Sequence, residues 1–253
     1  MGVDRTDLHF HLLPGLDDGP ASVEESFALA RLAVEDGTRS IVATPHVRPE
    51  YVTNVDDLPD RARALEERLA GEDISLRVSA GAELGHEMVG RLGQDELRSV
   101  SVGPPDAPWV LVECPFAGLD HDLHAATREL RERGFGVVLA HPERSTGVLA
   151  ERLGRLEHEL RHGSLLQVNA LSLAGDYGPA ARTAGEDLVR GGVVSVLASD
   201  AHSPRRRPAL RTGERLVERL GLSRRAARRL THERPHALLR HGVPTRRTHA
   251  GAR

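Results

Sequence analysis

A chain of 253 residues, 39% hydrophobic and 28% charged, is long enough to bury a full core. Its formal charge of -3 offers no basic field to nucleic acid, and 3% aromatic content offers no stacking platform for bases. All 34 basic side chains are arginine, which excludes lysine as a Schiff-base former or general base.

The first twenty residues carry the densest chemistry. Asp7-Leu8-His9-Phe10-His11 runs into Leu13-Pro14-Gly15-Leu16-Asp17-Asp18-Gly19. On an extended strand His9 and His11 project from one side, and Asp17 or Asp18 can return to them from the Pro/Gly turn. Imidazole with carboxylate suits zinc, manganese or iron. Ser22 with Glu25 forms a capping-box pattern ahead of an apolar helix that Gly37 stops. A β-branched run at 40–44 ends at Pro45-His46, and a helix follows at 58–69, closed by Gly71. The strand at 76–81 delivers Glu83, and that at 108–112 delivers Glu113. A helix at 121–133 ends at Gly134, and the strand at 136–140 delivers His141. A helix at 148–161 precedes a strand at 165–169 with no obvious ligand. A helix at 179–190 precedes the strand at 193–198, which delivers Asp200 and His202. Helices at 210–220 and 224–239 lead to a frayed tail at 246–253.

About seven apolar strands separated by helices argue for parallel pairing. The candidate ligands His9, His11, Asp18, His46, Glu83, Glu113, His141, Asp200 and His202 fall at C-terminal strand ends, the face on which parallel barrels build active sites. Ligands drawn from so many strands favour a barrel over an open sheet with one crevice. So many imidazoles and carboxylates at one pole need cations between them, and they exceed what one ion coordinates. Two or three ions are therefore expected. The single cysteine, Cys114, rules out an internal disulfide and fits a cytoplasmic location. No signal peptide precedes Asp7, and no apolar run approaches the ~18 residues needed to span a bilayer.

The stretches from His9 to Gly19, Thr44-Pro45-His46, Gly81-Ala82-Glu83, Glu113-Cys114-Pro115, Ala140-His141-Pro142-Glu143-Arg144 and Ser199-Asp200-Ala201-His202 together resemble the polymerase-and-histidinol-phosphatase (PHP) superfamily. Within it they look most like the bacterial capsule-type tyrosine-protein phosphatases. The match runs from about residue 7 to 240 and includes the loop from Ser172 to Gly178; Glu233-Arg234-Pro235 departs from the usual Glu-Asn-Pro. The resemblance implies a single-domain, distorted (β/α)7 barrel over 1–245 and a trinuclear, usually manganese-activated site, with iron, zinc or cobalt as alternatives. Carried over, His9, His11, Glu83 and Asp200 hold one metal. Glu83 bridges to a second with Glu113 and His141, and Asp18, His46 and His202 hold the third. Arg144 matches the phosphate-binding arginine, and Arg207 before Pro208 a second.

The expected activity is a metal-dependent phosphomonoesterase acting on phosphotyrosine in the tail of a bacterial tyrosine kinase of polysaccharide synthesis. The Leu171 to Gly178 loop, with Leu173, Ala174 and Tyr177, would offer apolar surface to a phenyl ring, and the Arg205 to Arg207 run positive charge to an acidic peptide. Cys114 is not expected to be a nucleophile. Cysteine phosphatases need an arginine six residues on, and Asp120 stands there. The rival readings are a small-molecule phosphatase, such as one for histidinol phosphate, and a non-enzymatic barrel that binds metal or a partner.

Overall fold

The computed structural model describes residues 4–148 and 154–243. It is an α/β fold in which every paired strand is parallel. In chain order the elements begin β1 (Arg5–Phe10), α1 (Val23–Asp36), β2 (Thr38–Ala43), β3 (His46–Val47), α2 (Leu58–Gly71), β4 (Arg77–Ala80) and β5 (Glu83–Leu84). Next come α3 (Gln94–Val100), β6 (Trp109–Glu113), α4 (His121–Glu132), β7 (Gly136–Ala140), α5 (Gly154–Arg161), β8 (Leu165–Asn169), α6 (Ala170–Ala174), α7 (Gly178–Arg190) and β9 (Val196–Ala198). Helices α8 (Leu210–Arg219), α9 (Arg224–Arg228) and α10 (Arg234–His241) complete the described chain.

Local signals account for most of these elements. Ser22 Oγ accepts from the Glu25 N–H at 3.3 Å, and Gly37, at φ 91°, caps the other end of α1. The expected terminal helix at 224–239 is broken by a π-turn at Arg229–Glu233. Pro235, the second residue of α10, lacks an N–H and its ring crowds the carbonyl four residues back, so a regular α-helix cannot run through it. Residues 149–153 of the expected helix at 148–161 and the expected tail lie outside the described residues.

The strands form one sheet of order β1-β2-β4 and a second of order β3-β5-β6-β7-β8-β9. Each of the expected strands at 40–44 and 76–81 is followed by a short strand the sequence did not suggest, β3 beyond Thr44-Pro45 and β5 beyond Gly81-Ala82. Hydrogen bonds still cross the break, Gly81 N to Ala43 O at 3.0 Å and Glu83 N to Pro45 O at 3.1 Å. Only glycine fits at 81, because a Cβ there would stand 2.6 Å from Val42 Cγ1. The segment after β9 also meets β1: Asp200 N donates to His9 O at 3.0 Å and His11 N to Ala201 O at 2.9 Å.

The pleat decides what each strand side chain does. On β6, Val110 and Val112 face the main core beneath the helices, while Trp109 and Leu111 join an inner cluster with Leu8, Val42, Val138 and Val196. The C-terminal segment covers the far end of that cluster, where Trp109 Nε1 donates to Leu238 O at 3.1 Å. One residue pair further along, the same face of β6 carries Glu113. On β8 it carries Gln167 and then Asn169. The inner core therefore ends where the polar residues begin, at the C-terminal ends of the strands. No helix among the described residues is long and apolar enough to cross a membrane.

Candidate metal centre

His9 is the last residue but one of β1, His46 and Glu83 open the short β3 and β5, and Glu113 ends β6. His141 follows β7 directly, and Asp200 lies two residues past β9. All but Asp18, which is 42% exposed on its side chain, are buried or nearly so. His9 Nε2 stands 3.2 Å from His11 Nε2, 3.1 Å from Glu83 Oε2 and 3.3 Å from Asp200 Oδ1. His9, His11, Glu83 and Asp200 each offer a ligand atom within 4.8 Å of the others. A second group of the same compactness joins His11, Asp18, His46 and His202, and a third joins His46, Glu83 and Glu113. His141 enters through the other Glu83 oxygen, its Nε2 2.7 Å from Oε1. The resemblance set Glu83, Glu113 and His141 together; the geometry adds His46 to them.

The histidines are oriented from behind. His9 Nδ1 lies 3.0 Å from Gln167 Oε1, and that oxygen also accepts from the His141 N–H at 3.2 Å. His11 Nδ1 donates to Asp17 Oδ2 at 2.6 Å, and His202 Nδ1 to Asp200 O at 2.9 Å. Each acceptor fixes the tautomer that leaves Nε2 without a proton and aimed into the cluster. Two such nitrogens 3.2 Å apart repel unless a proton or a metal ion lies between them. Glu83 Oε2 and His202 Nε2 are moreover buried without a hydrogen bond of good geometry. The residues present therefore fit divalent ions.

Carboxylates compete for the same positive neighbours. Burial alone would raise Glu83, but His9 and His46, with contacts from His11 and His141, hold it well below the usual carboxylate range. Burial likewise opposes ionisation of Asp200, which His9, Arg206 and His202 hold far down. Glu113 is pushed up to about 7 by burial and by the charge of Glu83, against the pull of Arg48 at 2.7 Å.

The two expected arginines fare differently. Arg144 Nη1 pairs with Asp200 Oδ2 at 2.9 Å, and its guanidinium lies between two rings, 4.7 Å from the Phe116 centroid and 4.2 Å from that of Tyr177. Arg207 instead turns outward, half exposed and 3.6 Å from Asp176. Its neighbour Arg206 faces the cluster, with Nη1 3.0 Å from Asp18 and Nη2 3.0 Å from both Asp200 oxygens. Alternate residues of a loop point to opposite sides, and the inward one is Arg206. Of the loop residues expected to meet a phenyl ring, Tyr177 lies by the site, whereas Leu173 is buried in the main core. Cys114 is fully buried, and burial, reinforced by Glu143 and Glu159, pushes its thiol well up.

Sequence reasoning missed Gln167, Asn169, Arg48 and Arg206 as site residues, and it singled out Asp18 without giving Asp17 its place behind His11. The strand of 165–169 did carry a signal, since Gln167 and Asn169 are polar at period two in an apolar run. Two aromatic side chains are exposed beside the cluster. Tyr51, 45% exposed, stacks on His46 with ring centroids 5.2 Å apart, and Phe116, 47% exposed, stacks on His141 at 5.8 Å.

With this geometry established, residues 5–240 match the family described as capsular polysaccharide synthesis, CpsB/CapC. The chain is 33% identical over 202 residues to tyrosine-protein phosphatase YwqE of Bacillus subtilis, covering 79% of this chain and 78% of that protein. It is 25% identical over 210 residues to tyrosine-protein phosphatase CpsB of Streptococcus pneumoniae, covering 80% and 84%. It also superposes, with a TM-score of 0.82 and 30% identity over 95% of this chain and 96% of the other, on one from the crystal structures of YwqE and CpsB, described as unique metal-dependent tyrosine phosphatases.

Proposed function

Since this chain belongs to the CpsB/CapC family of capsular polysaccharide synthesis, we propose that it is a metal-dependent tyrosine-protein phosphatase whose substrate is the phosphotyrosine-bearing tail of a bacterial tyrosine kinase. The observation that carries this is the buried convergence of His9, His11, Glu83 and Asp200 beside an arginine held between two aromatic rings. On this reading the strands form a distorted (β/α)7 barrel within one domain of residues 1–245. The chain works in the cytoplasm, on two or three divalent ions, manganese first among them. His9, His11, Glu83 and Asp200 would hold one ion; Glu83, Glu113 and His141 a second; Asp18, His46 and His202 a third. When bound, such ions polarise phosphoryl oxygens and acidify water near neutral pH.

The chain's own side chains supply the rest. Arg144 presents a planar, fork-shaped donor set that matches phosphoryl oxygens, and the flanking rings of Phe116 and Tyr177 fix its plane. Arg206, in place of Arg207, is the second cation near enough to share the phosphate charge. Exposed Phe116, on His141, and exposed Tyr51, on His46, give a substrate phenyl ring apolar faces beside the cluster. A phenolate leaving group, with pKa ~10, needs little help from a general acid.

The test compares kcat/KM for a phosphotyrosyl peptide and for histidinol phosphate with the same Mn2+-loaded protein and a chelated control. The peptide is expected to win by about tenfold or more. The reverse ratio would assign a small-molecule phosphatase, and inertness toward both with metal bound would assign a binding protein.

A further inference from the structure

Away from the strand ends, α4 and α5 bring a second group of histidines together over a groove of about 620 Å³. His158 on α5 and His162, the residue just past its end, stand one turn apart, so both project from one face. His124 comes from α4. The ring centroids lie 4.7 Å apart for His124 and His158, and 4.2 Å for His158 and His162. His124, His158 and Glu159 each offer a ligand atom within 4.8 Å of the others. We infer that this face holds an additional metal ion, bound by His124 and His158, completed by His162 and backed by Glu159.

The hydrogen bonds around the rings carry the inference. His124 Nδ1 lies 2.7 Å from Glu159 Oε1, and His162 Nδ1 lies 2.7 Å from the His158 carbonyl oxygen. A carbonyl can only accept, and an ionised carboxylate likewise, so both rings spend their proton on Nδ1 and keep Nε2 as a free lone pair. A carboxylate behind a histidine is the arrangement that orients imidazole ligands and raises their basicity. Glu159 itself is fully buried and anchored by Thr127 at 2.9 Å, Ser164 at 2.6 Å and Arg131 at 3.1 Å, so it holds His124 without needing the ion.

That network alone would join the two helices, but it gives no role to the His158 ring. The arginines that line the groove have other partners: Arg131 is bound to Glu159, Arg155 to Leu119 O, Arg161 to Glu157 O at 3.4 Å, and Arg128 lies 3.7 Å from Glu132. An imidazole-dominated set selects zinc or copper over manganese or magnesium, unlike the carboxylate-rich strand-end groups. An ion here would fasten α5 to α4 and bind independently of phosphatase turnover.

The experiment uses the full chain as wild type and as His158→Gln/His162→Gln, both half-buried or exposed positions. Each is dialysed against Zn2+, and separately against Mn2+, then against metal-free buffer, and bound metal is measured by mass spectrometry. Wild type is expected to retain one more zinc equivalent than the double variant, with equal manganese and equal Mn2+-supported phosphatase rates. Equal zinc in the two proteins would overturn the site, as would zinc that dialysis removes from both. If the double variant does not fold, His162→Gln alone carries the test, and unchanged zinc affinity in it would overturn the proposal.

Discussion

Arg144→Ala separates a role on the phosphate from a role in the fold. The side chain makes one ion pair, to Asp200 at 2.9 Å, and two ring contacts. Each ring contact contributes roughly 0.5–1 kcal/mol at a partly exposed position. Loss of the ion pair leaves Asp200 well supplied, since Arg206 Nη2 stands 3.0 Å from both its oxygens and Asn169 Nδ2 donates at 2.8 Å. The fold should therefore lose about 1–2 kcal/mol, which for a chain of this length is a Tm fall of ~2–4 °C per kcal/mol. Removing a preorganised donor from a developing phosphoryl charge costs far more, on the order of 10²–10³ in rate. The assay is kcat/KM on p-nitrophenyl phosphate and a phosphotyrosyl peptide, with Tm and metal content measured on the same samples. Arg144→Lys keeps the charge but loses the planar fork, so it should recover stability better than rate. A variant that keeps kcat/KM within about threefold of wild type, or one that sheds its metal and unfolds, would refute the reasoning.

Glu83→Ala removes a carboxylate that touches His9, His11, His46 and His141, so it should lose both bound metal and activity; full-rate hydrolysis by this variant or by chelated wild type would count against the metal reading. Cys114→Ser should turn over within a few-fold of wild type, and the thiol should resist a thiol reagent until the chain unfolds, because it is fully buried. Burial pushes the Asp36 carboxyl up, against the pull of Arg211 and Arg5, so the native state prefers it protonated. The stability this confers is full below the unfolded value of ~3.9 and is lost as pH rises through the folded one, so Asp36→Asn should raise Tm at pH 7 but not at acid pH. A carboxylate on the last residue of α1 also opposes the helix dipole, which acts in the same direction. Equal shifts at both pH values would contradict this.

The strand-end ligands were legible because two rules coincide in them. Apolar runs of period-two residues end abruptly at His46, Glu83, Glu113 and His141, and parallel strands gather such ends on one face. What spacing alone could not supply was a choice between neighbours. Asp17 and Asp18 are adjacent acids in one turn that spacing leaves level; the resemblance singles out Asp18 beside His46 and His202, and the folded loop adds that Asp17 backs His11. Within Arg205-Arg206-Arg207 all side chains are alike, and loop direction alone turns Arg206 inward and Arg207 to Asp176. That pairing resumes after Thr44-Pro45 was equally hidden, because the two residues His46-Val47 are too few to show a strand pattern.

The site also draws on backbone strain. His141, at φ 35°, and Asp200, at φ 52°, adopt left-handed conformations without being glycine, each just past the end of a strand. Such residues cost on the order of 1–3 kcal/mol apiece and persist only where surrounding contacts over-determine them. For Asp200 that contact is its N–H on His9 O; for His141 it is its N–H on Gln167 Oε1, the oxygen that also receives His9 Nδ1. Gln167 further donates to Asn169 Oδ1 at 2.7 Å, and Asn169 donates to Asp200. One neutral amide thus links the tautomer of His9, the turn at His141 and the placement of Asp200. A glutamate at 167 could accept the same two bonds, but it could not donate to Asn169 and would add another buried negative charge beside Glu83 and Asp200. The absence of a ligand from this strand is therefore part of how the others are held.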